Sequence, residues 1–187
     1  MAREIRRLAY EDLSPELRAA LASKVERLGY LGEFFAVCGH QPEALLAFNE
    51  FTEALKRALP AELTEVVALT AASALGNDYE RCQHEQLSVK LGFSREWIAA
   101  AAGRGDAGAL GEQARCAREL VLTLLAHHGH EASAEVSKAV AVLGEQSAVG
   151  VLLQAGRYVA HALVSNALAF ASPVPSVLDE AESAASR

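Results

Sequence analysis

The chain has 187 residues, 51% of them hydrophobic and 22% charged. That length and composition exclude a disordered chain and leave room for one domain with a sizeable core. A formal net charge of −7 argues against a nucleic-acid partner, because such proteins present a basic face. The one basic cluster, Arg3, Arg6 and Arg7, is interrupted by Glu4 and reads as a solvated terminus.

Cys38, Cys82 and Cys116 form neither a close pair nor a zinc spacing, and an odd set without an apolar leader fits a reducing cytoplasm. The uncharged run Ser147 to Gln154 is too short to span a bilayer. The longer run after Arg157 contains His161, Ser165 and Asn166 and reads as a buried helix, so no membrane association is expected.

Apolar positions recur at helical spacing nearly everywhere, and no alternating run suggests a strand. The expected class is therefore all-α, one domain over 1–187 with a flexible tail over 172–187. Ser14-Pro15 opens a helix as cap and first turn, with Leu17, Leu21, Val25 and Leu28 on one face and Gly29 as the stop. Pro42 opens the next, and Pro60 opens another from about Ala61 to Leu75. Gly76-Asn77-Asp78 is a turn whose Asn77 or Asp78 caps a helix that ends at Gly92. Ser94 caps a short helix through Ala102. Gly103 to Gly108 is a loop; no strand precedes it, so its glycines are not a phosphate cradle. Helices follow from about Leu110 to His127, from a Ser133 cap to about Leu143, and from about Ser147 to Ala171.

The chemistry concentrates in Tyr79-Glu80-Arg81-Cys82-Gln83-His84. On a helix Glu80 and His84 stand one turn apart, and Leu87 and Leu91 continue their stripe toward the core. Burial of such a pair is costly unless its members meet each other or a third polar group. Glu65, folded back by the short turn, is that group. Histidine titrates near neutrality, and a neighbouring carboxylate favours its charged form and fixes its tautomer. A structural polar clamp is the commoner outcome for an arbitrary Glu/His pair. Cys82 points away from the pair and reads as packing, as do Cys38 and Cys116. His127, His128 and His130 straddle Gly129 and read as a solvated helix end rather than metal ligands. Tyr158 and His161 read as ordinary core polarity, with a shared pocket as the alternative. Trp97 reads as a packing anchor, and Tyr79 as a residue at the margin of the site.

The order Glu65, then Tyr79-Glu80-x-x-x-His84, then Leu91-Gly92-Phe93-Ser94-Arg95-Glu96-Trp97-Ile98 resembles the carboxymuconolactone decarboxylase family, within the alkylhydroperoxidase D-like superfamily. The resemblance runs from about Leu28 to about Phe170, and Gly39 to Leu46 looks like the family's helix entry. It implies an alkylhydroperoxidase D-like helical domain with a central antiparallel helix pair, and a homotrimer or homohexamer. It implies cofactor-free general acid/base chemistry on a small acidic or carbonyl substrate: loss of carbon dioxide from a lactone acid and reprotonation of the extended enolate. His84 would donate or shuttle the proton, Glu80 and Glu65 would orient and tune it, and Tyr79 would contact substrate. The peroxidase branch has Cys-x-x-Cys where this chain has Asn77 and Glu80, which favours the decarboxylase-like branch. A thiol peroxidase and a scaffold that kept the fold without the chemistry are the alternatives.

Overall fold

The computed structural model describes residues 4–179, so Arg3 and the tail 180–187 lie outside the described residues. Among the described residues every regular element is helical: α1 Pro15–Leu28, α2 Glu33–Cys38, α3 Pro42–Ala58, α4 Ala61–Ala74, α5 Asp78–Lys90, α6 Arg95–Ala101, α7 Glu112–Ala126, α8 Ser133–Leu143 and α9 Glu145–Ala167. The chain divides into two compact units, Met1–Ala54 and Leu55–Arg187. None of the described helices is long and apolar enough to cross a membrane.

In the first unit the Ser14 hydroxyl accepts from the Leu17 amide and Gly29 takes a left-handed conformation, so α1 begins and ends where its sequence signals lie. Leu17 and Leu21 are fully buried. Lys24 reaches the Asn49 side chain and the Glu53 carboxylate on α3. The short α2 carries Phe34 and Val37 inward and was not anticipated from the sequence. Six residues are too few to display a helical period.

The second unit is built around α4. Its residues Leu63 to Ala72 are all buried, because α4 packs on α5, α7 and α9 at once. A helix apolar on every side has no solvent face, which explains the uncharged run after Glu65. Each of Val66, Val67 and Leu69, fully removed from water, contributes roughly 1.5–3 kcal/mol before entropy is charged against it. Gly150 on α9 admits Leu59: a Cβ there would meet the Leu59 side chain at 2.7 Å.

The α4–α5 turn sets the functional geometry. Gly76 takes φ +62°, a backbone state that glycine adopts without strain. Asn77, buried, accepts from the Glu80 amide at 3.3 Å and so caps α5. α5 then runs back antiparallel to α4, the expected central pair, and stops at Gly92 with φ +89°. The Ser94 hydroxyl accepts from the Trp97 amide at 3.1 Å and starts α6. Trp97 is buried, stacks on Phe93 at 4.2 Å, and donates to Glu62 at 3.3 Å, consistent with a packing anchor.

Several boundaries differ from the sequence expectation. Ser133 is the first helical residue of α8, not its cap; Ala132 holds the cap position without a side-chain bond. α9 runs from Glu145 to Ala167 rather than 147–171, and Ala169 breaks onward with φ +50°. Leu91 is 48% exposed and so does not continue the inward stripe, because it lies at the C-cap where α5 ends.

Residues 172–179, for which composition suggests a flexible tail, are held. The buried Glu85 carboxylate accepts from the Ser176 hydroxyl at 2.7 Å and the Val177 amide at 2.8 Å, while Arg81 bridges to its other oxygen. Arg95 donates to the Leu178 carbonyl at 2.7 Å, and the Leu178 side chain enters the core.

Candidate active site

Glu65 projects from the buried middle of α4 and His84 from the second turn of α5. His84 Nδ1–H donates to Glu65 Oε2 at 2.8 Å, and the Ser88 hydroxyl, one turn further along α5, donates to the same oxygen at 3.3 Å. Glu80 Oε2 stands 3.8 Å from His84 Nε2 on the same α5 face. The structure therefore brings together Glu65, Glu80 and His84, which the sequence named. Glu65 and Glu80 are buried, and the His84 side chain retains 14% exposure.

α9 supplies the rest. The Tyr158 hydroxyl lies 2.9 Å from His84 Nε2. Arg157 Nη1 donates to Glu80 Oε2 at 3.1 Å, and its guanidinium covers the Tyr158 ring at 4.4 Å. His161 Nε2 stands 3.4 Å from Glu80 Oε1, and Ser165 Oγ lies 3.0 Å from His161 Nδ1. Reading Tyr158 and His161 as ordinary core polarity is thus corrected: both touch the titratable array. Sequence reasoning passed over Arg157 and Ser88 entirely. The signal for the α9 residues was Arg-Tyr-x-x-His in an otherwise apolar helix, three polar groups within one turn. Tyr79 is buried beside the array, stacked on His161 at 6.0 Å and edge-on to Phe170 at 5.4 Å.

The electrostatics separate the two histidines. Burial would lower the His84 pKa, but the Glu65 carboxylate, its hydrogen bond and the nearby Glu80 outweigh this and push it from 6.5 to about 9. His84 is therefore an imidazolium at neutral pH, donating from Nδ1 to Glu65 and from Nε2 to the Tyr158 oxygen. His161 goes the other way: burial pulls it down to about 4, aided by Arg157 and His84, and Glu80 offsets only part. Burial would also raise Glu80, yet His161, the bond with His84 and the Arg157 guanidinium hold it well below the usual carboxylate range. Burial pushes the Tyr158 phenol up, so it stays protonated and can only relay a proton. At neutral pH two carboxylates thus face two cations, and the charges balance in a site too dry to leave one unpaired.

No cysteine enters this array. Cys82 is buried, and burial pushes its thiol up against a smaller opposing effect from a Ser172 hydrogen bond. None of the three thiols is paired in a disulfide. Among the described residues no cluster of three or more His, Cys, Asp and Glu is arranged to hold a metal ion. The three histidines at the end of α7 lie where the helix has stopped at Ala126, with His127 at its C-cap.

Residues 42–122 match the carboxymuconolactone decarboxylase family model. The debrominase Bmp8 without ligand superposes with TM-score 0.79 at 17% identity, covering 93% of this chain and 94% of that one. A Bmp8 variant in complex with 2,3,4-tribromopyrrole gives TM-score 0.78 at 17% identity, over 91% and 92% of the two chains. The alkylhydroperoxidase AhpD core of an uncharacterised peroxidase-related protein from Ralstonia eutropha JMP134 gives TM-score 0.74 at 15% identity, over 91% and 94%. At these identities the likeness shows a shared fold. A search of curated proteins found no significant match.

Proposed function

We propose, from the site geometry and the match of residues 42–122 to the carboxymuconolactone decarboxylase family model, that this chain is a cofactor-free proton-transfer enzyme with His84 as the general acid. The observation that carries this reading is the His84 imidazolium, held by Glu65 on one nitrogen and facing the Tyr158 hydroxyl with the other. An acid of about 9 retains its proton at neutral pH and still gives it readily to a carbanionic carbon.

The substrate class is a small acidic or carbonyl compound. In the decarboxylase-like version the bond to the departing carboxylate breaks and its electron pair spreads into an extended enolate. The enolate carbon takes a proton from His84 Nε2, directly or through the Tyr158 hydroxyl, which accepts one proton as it gives its own. Water then reloads the imidazole. Glu65 fixes the ring and stabilises its charge throughout, and Glu80, locked by Arg157, adds a second negative field. Tyr79 supports the site by packing on His161.

The competing thiol-peroxidase reading needs a low-pKa cysteine beside a partner, and Cys82 is raised rather than lowered. A homotrimer or homohexamer belongs to the same proposal. It is supported by the exposed apolar side chains of Val149, Leu153 and Leu163 along α9.

The test is carbon dioxide release from carboxymuconolactone and a panel of related lactone and keto acids. Wild type should release it, and His84→Ala should lose at least about a hundredfold in rate while remaining folded. Release that survives in His84→Ala, or peroxide consumption that requires Cys82 with no decarboxylation, would overturn the reading.

A further inference from the structure

A hollow opens further along α4, lined by none of the residues that touch His84. It has a volume of about 260 Å3 and is lined by Thr70 and Ser73 of α4, Arg118 and Leu122 of α7, and the end of α6. Among the described residues Arg118 is its one charged lining residue.

Two polar atoms at this hollow are buried without a partner: the Arg118 Nε and the Ser73 hydroxyl oxygen. The Thr70 hydroxyl is already committed, donating to the Ala101 carbonyl at 3.0 Å. A buried guanidinium N–H without an acceptor costs free energy that an occupant of the cavity would restore. Gly103 makes room for the group: with φ +73° it has no side chain, and a Cβ there would sit 3.3 Å from Arg118 Nη2. The remaining walls, Ala74, Ala101, Ala102 and Leu122, are aliphatic.

We propose that this cavity binds a small organic carboxylate, gripped by Arg118 and the Ser73 hydroxyl, with its hydrocarbon body against the alanine and leucine walls. A planar guanidinium suits a carboxylate's two oxygens, and the apolar walls favour an organic acid over inorganic phosphate. The neighbouring hollow of about 390 Å3 shares Leu122 but carries Glu119, paired with Lys138, and Glu135, whose Oε2 is buried without a partner. That carboxylate repels an anion, so the ligand is confined to the Arg118 side. The inference does not depend on the chemistry assigned to His84.

The experiment is an NMR titration of the full chain with butyrate, with butyramide and phosphate as controls. Butyrate should bind saturably and shift the Gly103 and Leu122 amides but not those beside His84. Butyramide and phosphate should bind at least about tenfold more weakly. Arg118→Gln should weaken butyrate about tenfold or more. Ser73→Ala should weaken it about threefold with no loss of stability, because the hydroxyl it removes is unpartnered; this variant carries the test if Arg118→Gln fails to fold. Equal binding of butyrate and butyramide, equal binding of phosphate, shifts confined to the His84 surroundings, indifference to both substitutions, or no saturation at millimolar butyrate would each overturn the proposal.

Discussion

His84 and His161 flank the same carboxylate, Glu80, and titrate in opposite directions, which gives stability a pH dependence with two assignable flanks. His84 rises from 6.5 to about 9, so its contribution is complete below pH 6.5 and is lost as pH rises through about 9. His161 falls from 6.5 to about 4, so the contribution of its neutral ring is complete above pH 6.5 and is lost as pH falls through about 4. The depressed Glu80 adds to the acid flank, since its contribution disappears as it is protonated. Urea unfolding should therefore be most resistant near neutrality, with each flank worth on the order of 2 kcal/mol. His84→Gln should flatten the alkaline flank and His161→Gln the acid one; a profile unchanged by either would refute the assignment. Tyr158→Phe addresses the relay. It removes the hydroxyl at His84 Nε2 but leaves Glu65, so turnover should fall roughly tenfold to a hundredfold while the imidazole stays charged. Equal turnover in Tyr158→Phe would show that His84 protonates substrate directly. Glu65, Glu80 and His84 were legible because one motif and one turn hold them together. Tyr158, His161 and Arg157 were not, because their distance from the motif along the chain hides a contact that only packing of α9 on α4 creates.

At the scale of elements, the α4–α5 turn carries most of the positioning. Asn77 caps α5 with its side chain and is itself buried, so Asn77→Ala should cost about 1 kcal/mol or more of stability. It should also lower turnover more than its distance from His84 suggests, because Glu80 is the residue whose amide the cap holds. Thermal unfolding beside a rate measurement checks both; a stability loss with full activity would confine Asn77 to a structural role. Starts and stops at proline, glycine and capping residues could be read directly, as at Ser14, Pro42, Asn77 and Gly92. The α2 helix and the Ala169 break could not, since α2 has no side-chain cap and is too short to show a period, and Ala169 is no turn residue. Glu85 illustrates a different limit. Its sequence neighbours mark it as an ordinary helical acid, yet it is buried under Ser176 and Val177. Glu85→Gln should speed amide exchange across 172–179 without abolishing the fold; unchanged exchange there would mean that Leu178 and Arg95 suffice to hold the segment.

For the whole molecule, the helical spacing of apolar positions announced an all-helical protein, and the structure and its structural neighbours agree with it. Assembly follows from what the chain leaves uncovered. Leu163 is 68% exposed and Leu153 47%, both on α9, and a double change of these to glutamate should shift sedimentation toward monomer while circular dichroism stays helical. A wild-type monomer at micromolar concentration would contradict the proposed assembly. The proposed chemistry turns on one proton, the one His84 holds at neutral pH. Its most direct test is an NMR titration of the His84 imidazole in wild type and Glu65→Gln. Wild-type His84 should titrate near pH 9, and clearly lower in Glu65→Gln. Titration of wild-type His84 at or below the ordinary 6.5 would contradict this, because the ring would then be neutral, with its remaining proton on Nδ1 against Glu65 and none on Nε2 to give.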